Sequence, residues 1–264
     1  MTDGIGIAGS GRAGSAFLSR LRTSGLNVSA VGIPDDAEET DPAAFAASLR
    51  TLIAVPRDIG ELEALLFSTR RLAETAPFLE RIVIAATLSP RYIRALRGRI
   101  RSSVTLIDAP YSGTLRTAEM GRIRFFVGGD EETIVDLRSI FDTLGHRTIR
   151  MGDFGTATAA KTLNDLLTAS STALTRIALD WAEAQGIDDE RIFDLTEAAL
   201  GPGLLSAGLD QVQNDRTVPC GSDALTALVE NVEIALDLAC SEAHLRPPRT
   251  MISPVRGQRM RALH

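Results

Sequence analysis

Short apolar runs recur through the first half of the chain. They fall at Ile5–Ala8, Val28–Val31, Leu52–Val55, Ile82–Ala86, Val104–Ile107, Arg124–Val127 and Thr148–Met151. Stretches with helical spacing lie between most of them, as at Arg12–Thr23, Arg91–Leu96 and Glu131–Leu144. Strands alternating with helices predict a mostly parallel sheet covered on both faces. After Gly155 the strand signal stops. From Thr156 to Gln185 the chain has neither Gly nor Pro and is rich in Ala and Leu. It reads as one long helix closed by Gly186. Further helices are predicted at Asp188–Leu200 and Ser222–Ala243, separated by Gly201-Pro202-Gly203, and the tail from Arg246 is rich in Arg and Pro. The pattern therefore predicts an α/β N-terminal domain over 1–154 and an all-α C-terminal domain over 155–264, joined by a long helix.

Composition narrows the classes. A chain of 264 residues with 44% hydrophobic content can bury a large core in one or two domains. The net charge of −6 argues against a nucleic-acid partner. The longest apolar run, Ile82 to Leu88, is too short to span a membrane, and no signal peptide is visible at the N-terminus. Cys220 and Cys240 make neither a disulfide framework nor a zinc pattern, so no metal is expected and a reducing cytoplasm is.

The first motif that carries chemistry is Gly9-Ser10-Gly11-Arg12-Ala13-Gly14, between the first strand and the first helix. Gly9 permits a tight turn, Gly11 lets backbone approach a pyrophosphate, and Gly14 lets helix and strand pack closely. The helix start then offers N–H groups and a positive dipole end to phosphate. This is the pattern of a Rossmann-type dinucleotide site. Arg12 either helps to hold phosphate or is a solvated first-turn residue.

The second is Lys161. Of the 28 Lys and Arg residues it is the one lysine; all the others are arginine. Guanidinium is a permanent planar cation, whereas a lysine ammonium can trade a proton. Lys161 is thus either a surface lysine that the composition spared or a general acid/base. Other residues take plainer readings. Arg91, Arg94 and Arg97 read as a solvated helix face, Asp108 as a turn cap, and His146 as structural, in a turn before a strand. Trp181 reads as core or subunit interface.

Four segments together resemble the β-hydroxyacid dehydrogenases, the group of 3-hydroxyisobutyrate and glyoxylate/succinic-semialdehyde reductases related to 6-phosphogluconate dehydrogenase. They are the glycine turn; Ala86-Thr87-Leu88-Ser89-Pro90; Asp108-Ala109-Pro110-Tyr111-Ser112-Gly113-Thr114; and Gly152-x-x-Gly155 leading to Lys161 and Asn164. The resemblance implies a nicotinamide cofactor, NAD(P)H, held by Gly9, Ser10, Gly11, Arg12, Ala13, Gly14, Val55, Pro56 and Thr87. It implies a small-molecule substrate held by Ser112, Gly113, Thr114 and Asn164, with Lys161 as acid/base. It also implies a homodimer or homotetramer. Taken alone, Ser112-Gly113 would be an ordinary strand-to-helix turn.

The departures matter as much. Asp165 stands where the family has Asn, and Glu230-Asn231 where it has Lys-Asp. An ion pair between Lys161 and Asp165 would oppose proton transfer. Alternatively, Asp165 and Glu230 would receive an amine; Glu230 reads equally as a solvated helix residue. The family's Arg for the NADP 2′-phosphate is missing after the second strand, where Asp35-Asp36 stands, which favours NAD. The stretch after that strand is shorter than the resemblance leads one to expect, and the chain ends before the family's last helix. The reading is a dehydrogenase or reductase of a small β-hydroxy acid. The alternatives are a reductase of an amine- or imine-bearing substrate, and a catalytically idle Rossmann ligand-binding module.

Overall fold

The computed structural model describes residues 4–34, 36 and 40–200. The chain divides into two compact units, Met1–Lys161 and Thr162–His264. The domain boundary read from the sequence, 154/155, lies at the start of the long helix; the division of the structure lies inside it.

The first unit opens with strand β1 (Ile5–Ala8), helix α1 (Gly14–Thr23), β2 (Val28–Val31), α2 (Pro42–Ser48), β3 (Thr51–Ala54), α3 (Ile59–Leu66) and α4 (Leu72–Thr75). It continues with β4 (Arg81–Ile84), α5 (Pro90–Leu96), β5 (Thr105–Asp108), β6 (Tyr111–Ser112) and α6 (Leu115–Glu119). Then come β7 (Ile123–Gly128), α7 (Glu131–Asp136), α8 (Arg138–Leu144) and β8 (Gly145–Gly152). Helix α9 (Thr156–Ala184) begins in this unit; α10 (Asp189–Leu200) belongs to the second.

The strands form one sheet in the order β2-β1-β3-β4-β5-β7-β6, with β8 also paired to β7. From β2 to β5 all pairs are parallel, and β7 runs antiparallel to β5 and β6. Alternate strand residues face opposite sides, because side chains on a strand have a period of two. Ile5, Ile7, Ile53 and Val83 pack with Phe17 and Leu21 of α1 and Phe141 of α8. Ala8, Leu52, Ala54, Ile82 and Ile84 pack with Phe45 of α2, Leu62 and Leu66 of α3, and Ile93 of α5. Burial on both faces explains why the strands read as continuous apolar runs.

The differences from the sequence reading are local. The single helix expected over Glu131–Leu144 is two, broken at buried Leu137 with no Gly or Pro to signal it. His146 lies inside β8 rather than in a turn, because β8 extends along β7 from Gly145. Arg97 is a clip, donating to the carbonyls of Val104, Ile100 and Arg101, rather than part of a solvated face. Trp181 is 71% exposed within the chain, so it is not core. The helix expected over Ser222–Ala243 lies outside the described residues.

Candidate active site

The strand order reverses around β1, which has β2 on one side and β3 on the other. In open α/β sheets, ligands bind outside the carboxyl ends of the strands at such a reversal. The glycine turn leaves β1 there, and Val55 and Pro56 leave β3 beside it. Gly11 N–H donates to the Val55 carbonyl at 2.8 Å, and Val55 N–H to that of Ala8 at 2.8 Å. A Cβ on either Gly9 or Gly11 would lie 2.5 Å from the Val55 oxygen, and Gly9 has φ +116°. Both positions therefore require glycine. Helix α1 has Ala13 at its N-cap, no side-chain cap and no acid in its first turn. Its N-terminal end is built to receive an anion from outside the chain, which fits the pyrophosphate of a dinucleotide.

Glu61 of α3 joins this turn and was not singled out in the sequence. Its carboxylate accepts from the N–H of Ser10 at 2.6 Å and of Arg57 at 2.7 Å. Partial burial works to raise its pKa, but the N–H groups and the Arg57 charge win and hold it below the ordinary value. Asp58-x-x-Glu61 ahead of an apolar run is a visible helix-start signal; the crossing to Ser10 is not visible.

Thr87 is half-buried in the loop after β4. Ser112 is exposed and ends β6, followed by Gly113 at φ +150°. A Cβ on Gly113 would lie 2.6 Å from Thr117 Oγ1. Thr114, expected at the substrate, caps α6: its hydroxyl accepts from Thr117 N–H at 3.2 Å, while its own N–H donates to Thr117 Oγ1 at 2.7 Å. Tyr111 packs edge-on to Phe17 at 5.4 Å between centroids, which ties the Ser112–Gly113 turn to α1.

Lys161 is 9% exposed on the second turn of α9. The start of that helix is held by Asp108, which is fully buried at the end of β5. Its two oxygens accept from Gly155 N–H at 2.7 Å and Thr158 N–H at 2.6 Å. Asp108 is thus a cap, as expected, but of a helix far along the chain rather than of its own turn. Asn164 is exposed and Asp165 is 5% exposed on α9, in the second unit. Glu230 and Asp35 lie outside the described residues. Asp36 accepts from Arg22 Nη1 at 2.8 Å. Among the described residues, no cluster of three or more His, Cys, Asp or Glu is placed to hold a metal, and no helix is long and apolar enough to cross a membrane.

An uncapped helix behind a glycine turn, at the reversal of a parallel sheet, is the arrangement of a dinucleotide-binding Rossmann domain. Comparison with known proteins agrees. The model of the NAD-binding domain of 6-phosphogluconate dehydrogenase matches residues 4–152, more than half of the chain. The chain belongs to the β-hydroxyacid dehydrogenase family, which shares that domain.

Similar sequences include the mitochondrial 3-hydroxyisobutyrate dehydrogenase of Drosophila melanogaster, 28% identical over 44% of this chain and 36% of that protein. A probable 3-hydroxyisobutyrate dehydrogenase of Arabidopsis thaliana is 33% identical over 36% of this chain and 28% of that protein. The chain thus spans about a third of the length of these curated relatives. Among solved structures, 3-hydroxyisobutyrate dehydrogenase of Mycobacterium tuberculosis with L-serine superposes with a TM-score of 0.78, at 20% identity, over 97% of this chain and 92% of that one. An imine reductase from Myxococcus stipitatus with NAD+ gives 0.68, at 18% identity, over 100% and 96%. Identities this low speak for the fold.

Proposed function

We propose that this chain interconverts a small β-hydroxy acid and its semialdehyde with a nicotinamide cofactor. The observation that carries the reading is the position of Lys161. The chain's one lysine is buried near the start of α9, and that start is bonded to the strand end leading into Ser112 and Gly113. When bound, the cofactor supplies or accepts the hydride. Reduction of the carbonyl carbon leaves negative charge on oxygen. The Lys161 ammonium stabilises that charge and gives it a proton, and in the reverse direction its amine takes the hydroxyl proton. The N–H groups and hydroxyl at Ser112–Gly113 hold the substrate carboxylate.

The acidic sequence after β2 favours NAD. That preference rests on Asp35-Asp36 as a pair; Asp36 accepts from Arg22, and Asp35 lies outside the described residues. An oligomer formed through the helical unit is supported by Leu163, Leu167 and Trp181, exposed at 61%, 71% and 71% on one face of α9. The paucity of cysteine fits a cytoplasmic setting. A second reading, reduction of an amine- or imine-bearing substrate, is favoured by Asp165, a buried acid one helical turn past Lys161.

The test is reduction of short aldehyde acids with NADH and with NADPH, alongside dinucleotide titration by calorimetry. Lys161→Arg should lower turnover by at least about 100-fold and leave dinucleotide affinity intact. Turnover near that of the unmodified protein would remove Lys161 from the chemistry. Absence of dinucleotide binding would leave the idle-module reading. Asp165→Asn separates the two substrate classes: faster reduction of aldehyde acids favours the first, weakened binding of an amino-bearing analogue the second.

A further inference from the structure

We infer that Asp108 is a positioning residue that sets where Lys161 stands relative to the substrate turn. The inference rests on the reading of Lys161 as acid/base. A helix start is ordinarily capped by the side chain of its own N-cap residue. The residue before α9 is Gly155, at φ +91°, which has no side chain to offer. The cap arrives instead from β5. Each oxygen of the Asp108 carboxylate takes one N–H of α9's opening, from Gly155 and from Thr158. Carboxylate-to-N–H bonds of this length are charge-assisted and strongly directional. Two of them fix both the distance and the rotation of the first turn.

What the carboxylate connects gives it a catalytic meaning. Lys161 follows Thr158 by three residues, so its side chain leaves α9 one turn beyond the pinned N–H. On the other side, Asp108 continues through Ala109 and Pro110 into Ser112 and Gly113. Ala109 N–H donates to the Ile84 carbonyl at 2.9 Å, which ties this corner to the strand end that leads into Thr87. One buried carboxyl group thus joins Lys161, the Ser112–Gly113 turn and the strand end that leads into Thr87. The surroundings are shaped for it: a Cβ on Gly128 of β7 would lie 2.4 Å from Asp108 Oδ1. Burial pushes the Asp108 carboxyl pKa up, against the pull of the two N–H groups.

Because Lys161 is the one lysine, isotope-labelled lysine gives a single-site NMR signal that reports its surroundings without any substrate. Asp108→Asn keeps the shape but replaces one acceptor with an NH₂ facing an N–H. It should move the Lys161 signal, leave dinucleotide affinity unchanged, and lower kcat about 10- to 100-fold with little change in KM. Thr158→Pro, tolerated in the first turn of a helix, removes one donor while sparing the carboxylate. It should act in the same direction, and serves if Asp108→Asn does not fold. A folded variant with an unmoved lysine signal and unchanged kcat, altered only in melting temperature, would overturn the inference and leave Asp108 a staple. If Lys161→Arg retains full turnover while Asp108→Asn still moves the lysine signal, the acid/base reading fails and the pinning stands.

Discussion

Helices α1 and α9 both start at the carboxyl-end face of the sheet, and their first turns are finished in opposite ways. At α1 the N-cap is Ala13, with no side-chain acceptor and no acid in the first turn. At α9 a buried carboxylate arrives from β5 and takes two N–H groups. A helix start must have its donors satisfied by side chain, water or ligand. Where the protein supplies the acceptor, the helix becomes a fixed part of the scaffold, and α9 uses that rigidity to carry Lys161. Where it supplies none, the positive end is left for a ligand. The contrast separates a helix start left without a side-chain cap from one pinned by a distant strand.

The sharpest way to break the contrast is to close α1. Gly11→Asp puts a Cβ 2.5 Å from the Val55 oxygen and brings negative charge to the turn. It should abolish dinucleotide binding in calorimetry; retained affinity would move the cofactor away from this turn. Smaller and pH-dependent is the effect of Glu61, which ties Ser10 to α3. Its carboxyl pKa is lowered in the folded chain. The stability it contributes is therefore present above the unfolded value near 4.5 and lost as pH falls through the folded value. Glu61→Gln should cost about 1 kcal/mol of stability at neutral pH, and its melting temperature should fall less steeply than that of the unmodified protein as pH is lowered from 7. Equal slopes would show that the carboxylate adds nothing to the turn. The smallest effect is expected at an ordinary cap. Asp41 accepts from Ala43 and Ala44 N–H at the start of α2. Asp41→Ala should cost about 1 kcal/mol of stability and leave dinucleotide affinity unchanged. A change in affinity would mean that this cap, too, serves the ligand.

Much of this was legible in the chain. The glycine spacing after an apolar run marked the turn, because only glycine admits the close approach to Val55. The alternation of short apolar runs with helical stretches marked a parallel sheet, because strands buried on both faces must be apolar throughout. The singular lysine stood out because ammonium and guanidinium differ in chemistry. Two-residue β6 was hidden, since Pro110 and Gly113 bracket it and read as a turn. The break at Leu137 was hidden because no residue there forbids helix.

What the sequence by itself determined was local: which segments are strand or helix, where the chain must turn tightly, and which side chains can do chemistry. What only the tertiary structure decided were the partnerships across long separations. Glu61 meets Ser10, and Asp108 meets Gly155 and Thr158. A carboxylate's partner depends on which strands lie side by side and on which glycine, such as Gly128, makes room. Periodicity reports the face a residue occupies, and the folded sheet decides what stands opposite.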